Sequence, residues 1–561
     1  MTPYAAEAFS ADEREVLRHY VTNLDGPVFA LVNLPEVVCG ALFARYSRSP
    51  KSVRRLFLDE FLGDLDVSGD SSVDATVGLK RAEELYQRVF GDFGDDSVAQ
   101  LGGVHLACEQ ASNVLTKVLE WGRLMAYLEQ STRYIPYDSR LSTGHYRYWR
   151  DPEVLDSGLG ARFVGDMDRM FDTYAELLPL LQAHLVRAFP SDGTTSDFAY
   201  RQSVRARALD ALRGLLPAAT LSNVGIFGSG QSYEQLLLRM RGHPLPEVRD
   251  YAELIYAELK KVIPSFLTRL DRPERGGEWT EYLAARHHEM EALVGRLFPA
   301  ERSEGDAVST ATSVTLTDFD PDGEEKVLVA ACYPYSSIPE AELARRVRRL
   351  GAAERAAILA AYVGERRNRR HRPGRALERT GYRFDIVSDY GAFRDLQRHR
   401  MLTIEWQPLG ADLGYEVPEV VTEAGLAAAY ADSLDRAREL YETLRETFPL
   451  QAVYAVALAF RIRYSMQLNA REAMHLVELR STSQGHPVYR KIAQQMHRLI
   501  DEKAGHHAIA EAMRFVDHSG SGLGRLESER RAEEQRPRHV AAGEEAPGGG
   551  AVAEAKTSRD T

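Results

Sequence analysis

The chain runs through the same series of landmarks twice, and that repetition constrains its fold more than any single motif. An apolar, β-like run, "PVFALVNL" from Pro27, is followed by "ARYSRSP" (Ala44 to Pro50); a second, "KVLVAACY" from Lys326, is followed by "YPYSSIP" (Tyr333 to Pro339). Each leads into a charged helical pattern, a polar loop and a long amphipathic segment, ending at "WGRLMAYLEQSTRY" in one case and "RHRMLTIEWQPLGA" in the other. Farther along come "RGLLP" (Arg213 to Pro217) and "RETFP" (Arg445 to Pro449), then "LLLR" ending at Arg239 and "VELR" ending at Arg480. Landmarks kept in one order imply two divergent copies of one domain.

The 561 residues are too many for one ordinary core, which agrees with two domains. The expected division is an N-terminal helical extension (1–24), a first copy (25–299), a polar linker (300–313), a second copy (314–516) and a polar, Gly-rich tail (517–561) unable to bury enough apolar surface to order itself. Apolar residues at Ala111, Val114, Leu115, Val118 and Met125 follow the 3.6-residue period, and "VRDYAELIYAELKKVIPSFL" and "NAREAMHLVELR" do the same. With short strands at the two β-like runs, the predicted class is α+β, helix-dominated. No apolar run approaches the roughly 20 residues of a membrane span, and the acidic start is helix-like rather than a signal peptide. Three scattered cysteines without a C-x-x-C argue against a zinc ribbon or a disulfide framework, so a reducing cytoplasm is the expected compartment. A net charge of −12 argues against nucleic-acid binding through a basic field. Only nine of the 70 basic residues are lysine, and each arginine is a potential fork for phosphate or carboxylate.

These landmarks resemble the flavin-dependent thymidylate synthases, whose signature reads R-H-R-x-x-S-x-N-E-x-S-x-R-Y. Residues 121–134 align with it without gaps: Arg123 meets the third Arg, Glu129 the Glu, Ser131 the second Ser, and Arg133 and Tyr134 the final Arg-Tyr. Trp121, Gly122, Ala126 and Leu128 depart from it. The second copy keeps the opposite half, with Arg398, His399 and Arg400 as the R-H-R, Thr403 at the first Ser and Trp406 in place of the Glu. Downstream, the family's Arg four residues before a Pro is met by Arg213 and Arg445. Its N-A-R, following His or Asn and terminal L-R are met by Asn469, Arg471, His475 and Arg480, whereas the first copy has "GSGQ" and keeps only Arg239. Ser97 fits the family's S-x-x-E/H loop, and Glu378 lies at the family's distance before the R-H-R.

The resemblance implies that Glu129, Ser131, Arg133, Tyr134, Arg213 and Arg239 hold a pyrimidine nucleotide, with Arg133 and Arg213 also catalytic. It implies that Ser97, Arg123, Arg398, His399, Arg400, Asn469, Arg471, His475 and Arg480 hold FAD, with NADPH and methylene-tetrahydrofolate as co-substrates. The first copy then carries the nucleotide half of a site and the second the flavin half. A homodimer would stand in for the family's tetramer. The activity implied is C5-methylation of a pyrimidine nucleotide, most simply dUMP to dTMP. The alternatives are methylation or hydroxymethylation of UMP, a cytosine nucleotide or a nucleoside intermediate, or a non-catalytic nucleotide-binding or assembly role. The chemistry suits these residues: guanidinium forks bind phosphate and stabilise a developing oxyanion, and a flavin brings its own hydride chemistry to a protein that binds and orients it. Asn469 reads equally well as an ordinary helix N-cap. "HHEME" from His287 lacks the H-E-x-x-H spacing, and no metal site is expected.

Overall fold

A computed structural model describes residues 4–5, 7–34, 36–61, 100, 102–191, 193, 196–298, 311–520, 526 and 530. Ser97, the linker up to residue 310, and the tail beyond residue 520 apart from Leu526 and Arg530 lie outside the described residues. In chain order the first copy contains α1 (Ala11–Arg18), β1 (Val28–Leu31), α2 (Glu36–Tyr46), β2 (Gly103–Ser112), α3 (Leu115–Leu119), β3 (Met125–Glu129), α4 (Gly160–Ala188), α5 (Asp197–Leu212), β4 (Leu221–Ser229), α6 (Gly230–Arg241), α7 (Pro246–Val262) and α8 (Glu278–Leu297). The second contains β5 (Ser313–Phe319), α9 (Gly323–Cys332), β6 (Gly381–Asp389), α10 (Tyr390–Leu396), β7 (Leu402–Trp406), α11 (Ala427–Thr447), β8 (Arg461–Asn469), α12 (Ala470–Arg480) and α13 (Pro487–Glu502).

The duplication is plain in the sheets. Each copy forms a four-stranded antiparallel sheet, ordered β1-β2-β4-β3 and β5-β6-β8-β7. The ladders fix the correspondence. Gly103 faces Ser229 where Gly381 faces Asn469, and Met125 faces Gly228 where Leu402 faces Leu468. The copies join at a local two-fold: Ala218 N–H donates to Val456 O (2.8 Å) and Leu458 N–H to Leu216 O (2.9 Å), around a Pro217–Ala457 bridge. One apolar core runs through both sheets and the helices between them. A smaller one seats α1 and α2 on the outer strand, with Leu17, Val21, Phe29, Phe43 and Phe57 in contact. The expected N-terminal extension is helical at α1, held by a Ser10–Glu13 capping box.

Two expectations fail. The segment 103–129 is a strand, a short helix and a strand rather than one long helix. β2 is the second of four strands and is buried on both faces along most of its length, so it lacks the alternation that marks a strand. "KVLVAACY" lies in α9, whose first turn carries Glu324 and Glu325. The strand of the second copy is the half-exposed "SVTLTDF" just before it. A short apolar run fits helix and strand equally by periodicity alone.

Candidate active site

The two half-motifs do meet. Arg398–Arg400 lie on the turn between α10 and the edge strand β7, Glu129 and the residues after it lie at the end of the edge strand β3, and the local two-fold brings the end of β3 against α10. Arg398 places Nη2 3.2 Å from Glu129 and 3.1 Å from Asp395. Asp395 also accepts from Arg213 Nη1 at 3.2 Å. Arg133 grips Asp210 with two bonds, one of 2.7 Å, and reaches the Tyr489 hydroxyl (3.2 Å) and Gln484 O (2.9 Å) in the second copy. Arg480 is close enough to Asp395 to help hold its carboxyl far below the usual range against the cost of burial, with Arg213 and Arg398 contributing more. Nucleotide-half and flavin-half arginines therefore share one set of carboxylates.

Glu129 occupies the centre. Its side chain has no exposed surface; it accepts a hydrogen bond from Arg394 and is ion-paired with Arg398 at 3.2 Å and with Lys117 at 3.7 Å. Burial alone would raise its pKa, but Arg394, Lys117 and Arg398 hold it down to about 2. Glu129 does not face a ligand space in this state; it fixes Arg398. Nearby, Ser131 Oγ accepts from Arg133 N–H (3.3 Å), and the Tyr134 ring lies beneath Arg48 at 5.7 Å. Arg213 lies close over Gly391: a Cβ there would stand 3.2 Å from Arg213 Nε. Arg213 also forms part of the wall of a cavity of about 320 Å³ between the copies, with Arg207, Asp389, Tyr430, Arg461 and His486. Its Nη2 has no hydrogen-bond partner among the described residues. Burial raises the Asp389 carboxyl to about 6, against the opposing field of Arg213.

The flavin-half residues lie along α12. Asn469 is its N-cap, accepting from Glu472 N–H at 2.9 Å. Arg471 reaches Pro373 O (3.0 Å) and Glu378 (3.3 Å). In the middle, His399 Nδ1 meets Glu472 at 2.9 Å, His475 Nδ1 meets the same carboxylate at 3.3 Å, and the two rings stand 5.3 Å apart. These three side chains offer ligand atoms within 4.8 Å of one another. Arg480 Nε–H, however, donates to His399 Nε2 at 3.0 Å. A guanidinium cannot give up its proton, so the imidazole proton sits on Nδ1 and points at Glu472. The arrangement reads as a relay of hydrogen bonds rather than a metal centre. Burial drives His399 down to about 4, and bonds from both histidines hold Glu472 near 2 despite burial.

Three expected residues lie elsewhere. Arg239 is one helical position short of Arg480: counted from the equivalent N-caps Ser229 and Asn469, the counterpart of Arg480 is Met240. Arg239 instead lies over the Trp121 ring at 5.6 Å. Arg123 and Arg400 are true counterparts on either side of the two-fold, lining a cavity of about 230 Å³ with Trp121 and Arg239. Arg123 donates to Thr403 Oγ (3.0 Å) and Arg400 to Met125 O. Arg445 is not the match of Arg213 either. It lies in the last turn of α11 beside Asp412 (3.5 Å), and the position equivalent to Arg213 is Val453.

The same count shows what became of the mirror site. Where Arg398 meets Glu129, Trp121 meets Trp406 edge to face, ring centroids 5.5 Å apart. Asp395 corresponds to Val118, Arg213 to Val453 and Arg480 to Met240. Five charges of one site are thus apolar in the other. Sequence reasoning missed Lys117, Asp210, Arg394, Asp395 and Glu472. The signal for two of them was present: Asp395 and Arg394 precede Arg398 by three and four residues, one helical turn.

Fold and site together define a duplicated, internally two-fold α+β protein with one composite arginine–carboxylate site per chain. The chain belongs to the thymidylate synthase complementing protein family, whose model matches residues 44–265 and 315–505, one segment in each copy. It is 41% identical to a UPF0159 protein of Chlamydia muridarum over 93% of this chain and 98% of that one. It is 33% identical to a UPF0159 protein of Thermoplasma acidophilum over 87% and 97% respectively. Among solved structures, a UMP/dUMP methylase, PolB, from Streptomyces cacaoi matches 37% of this chain and 97% of its own, at 16% identity and a TM-score of 0.30. No described helix is long and apolar enough to cross a membrane.

Proposed function

We propose that the chain is an FAD-dependent enzyme that methylates C5 of a pyrimidine nucleotide, most simply dUMP to dTMP, with methylene-tetrahydrofolate and NADPH as co-substrates. The observation that carries this reading is the convergence of Arg133 and Arg213 from one copy with Arg398 and Arg480 from the other. Lys117 and arginines 133, 213, 394, 398 and 480 are interleaved there with the carboxylates of Glu120, Glu129, Asp210 and Asp395. Arg213, part of the cavity wall, suits the phosphate of a nucleotide. Arg133 and Arg480 suit the oxygens of a pyrimidine ring as charge develops on them.

The donors along α12 fit a flavin dinucleotide. Asn469 and Arg471 stand at a helix N-terminus, which favours a diphosphate. Arg480 lies eleven residues on, about 16 Å along the axis, a reach suited to an extended dinucleotide. A bound flavin supplies the hydride chemistry. The chain's own side chains bind and orient, and the neutral, buried His399 ties Glu472 to Arg480 and so positions that arginine.

A second reading keeps C5 chemistry but changes the substrate to UMP, a cytosine nucleotide or a nucleoside. Within it the nucleoside is favoured by Asp210 and Asp395, which already neutralise Arg133 and Arg213 and lower the premium on a phosphate. The test is purification followed by flavin analysis and tritium release from C5-labelled dUMP, UMP and dCMP. Yellow protein with FAD and release from dUMP is the expected result. A colourless chain that takes up no FAD and releases no tritium from any of the three, or from C5-labelled deoxyuridine, overturns both readings.

A further inference from the structure

Helix α8 has no counterpart in the second copy among the described residues, where α13 is followed by a short helix, His507–Ala512. It is tethered at one end, where Thr280 and Leu283 pack so closely on Gly242 that an added Cβ would sit 3.2 Å from Thr280 O. None of its twenty residues is buried. Yet one face is apolar: Trp279, Tyr282, Leu283, Met290, Leu293, Val294 and Leu297 recur at helical spacing, with Leu297 57% exposed. An arm about 30 Å long is marginal in water without tertiary packing, and a continuous exposed apolar stripe marks an interaction surface.

The order of the side chains identifies the partner. Trp279 and Leu297, Tyr282 and Val294, Leu283 and Leu293, and Arg286 and Met290 are pairs, each equidistant from His288. Two such helices laid antiparallel about a two-fold at His288 therefore bring every apolar residue opposite an apolar residue, except Arg286, which meets Met290. The charges agree. Glu278 and Glu281 at the start of one helix come beside Arg296 at the end of the other, and Arg286 falls within one step of Glu289. A parallel pair would stack Arg286 on Arg286 and the acidic ends on each other. A lipid surface suits the stripe poorly, since Glu289 and Glu291 flank it. We propose that α8 pairs with α8 of a second copy of this chain, making an isologous homodimer outside the pairing already built between the two halves.

Sedimentation velocity on the full chain is expected to give twice the 62.8 kDa of one chain. The double variant Met290→Glu/Leu293→Glu is expected to lose the dimer while still folding and melting cooperatively, because neither side chain is packed within its own chain. As an independent check, Arg286→Cys/Met290→Cys should close intermolecular disulfides on mild oxidation, and His288→Cys, on the outer face, should not. A parent chain that sediments as a monomer, a dimer that survives both glutamates, or equal cross-linking at position 288 overturns the proposal. If the glutamate variant does not fold, the cysteine pattern decides alone.

Discussion

Replacing Glu129 with Gln tests the claim that this carboxylate holds Arg398 rather than a ligand. Its pKa lies near 2 against an ordinary 4.5. At 1.36 kcal/mol per unit, the charge contributes about 3 kcal/mol at neutral pH. This agrees with the roughly 3–5 kcal/mol cost of breaking a buried ion pair. With an unfolding entropy of about 2.1 cal/mol/K per residue, a chain of this length should melt about 3 °C lower. The sign of the pH dependence follows from the depressed pKa. The stabilisation is fully present above the unfolded value of about 4.5 and is lost as pH falls through about 2, so the gap between parent and variant should shrink to under half by about pH 3. Calorimetry at neutral and acid pH measures the gap, and nucleotide affinity should weaken in parallel as Arg398 loses its anchor. A variant that melts with the parent at pH 7, or a gap that does not narrow in acid, would refute the reasoning.

Calorimetric titration with nucleotide should give one site per chain, because tryptophans fill the mirror position; two equivalent sites would contradict the correspondence. Arg480→Ala should weaken nucleotide or flavin binding about 10–100-fold, the worth of a hydrogen bond to a charged group. Arg239→Ala should change it by no more than about two-fold, and the reverse ranking would restore Arg239 to the site. His399 should stay neutral, protonated on Nδ1, down to about pH 4 by NMR. Its stabilising effect is present above the unfolded value near 6.5 and lost as pH falls through about 4, so His399→Gln should flatten the stability profile over that window.

The duplication and the pairing of half-motifs were legible because they depend on side-chain identity and order, which divergence had spared. Strand and helix assignments were less so. β2 mixes Val104, Leu106, Ala107 and Cys108 with buried polar residues such as Glu109 and Ser112 since it is covered on both faces, and α9 is apolar and short, so periodicity did not separate strand from helix. The matches at Arg239 and Arg445 failed for a geometric reason. Each satisfies a motif spacing, yet Arg239 is one helical step from the position equivalent to Arg480, which turns its side chain by about 100°, and Arg445 lies eight residues before Val453, the equivalent of Arg213. Only the strand registers resolve that step. Glu129 was legible as a site residue but not in its role, because burial of a carboxylate among Arg394, Arg398 and Lys117 depends on residues far away in the chain.

The crossing at Pro217 also bears on how the chain folds. Leu216 and Ala218 find their backbone partners at Leu458 and Val456, some 240 residues later. During synthesis the first copy therefore emerges with a segment that has no mate until most of the second has been made. Closing so long a loop is slow, and the equivalent segment of another nascent chain offers nearly the same mate. Refolding should accordingly depend on concentration, with exchanged, domain-swapped species rising in crowded conditions and receding when chains fold singly.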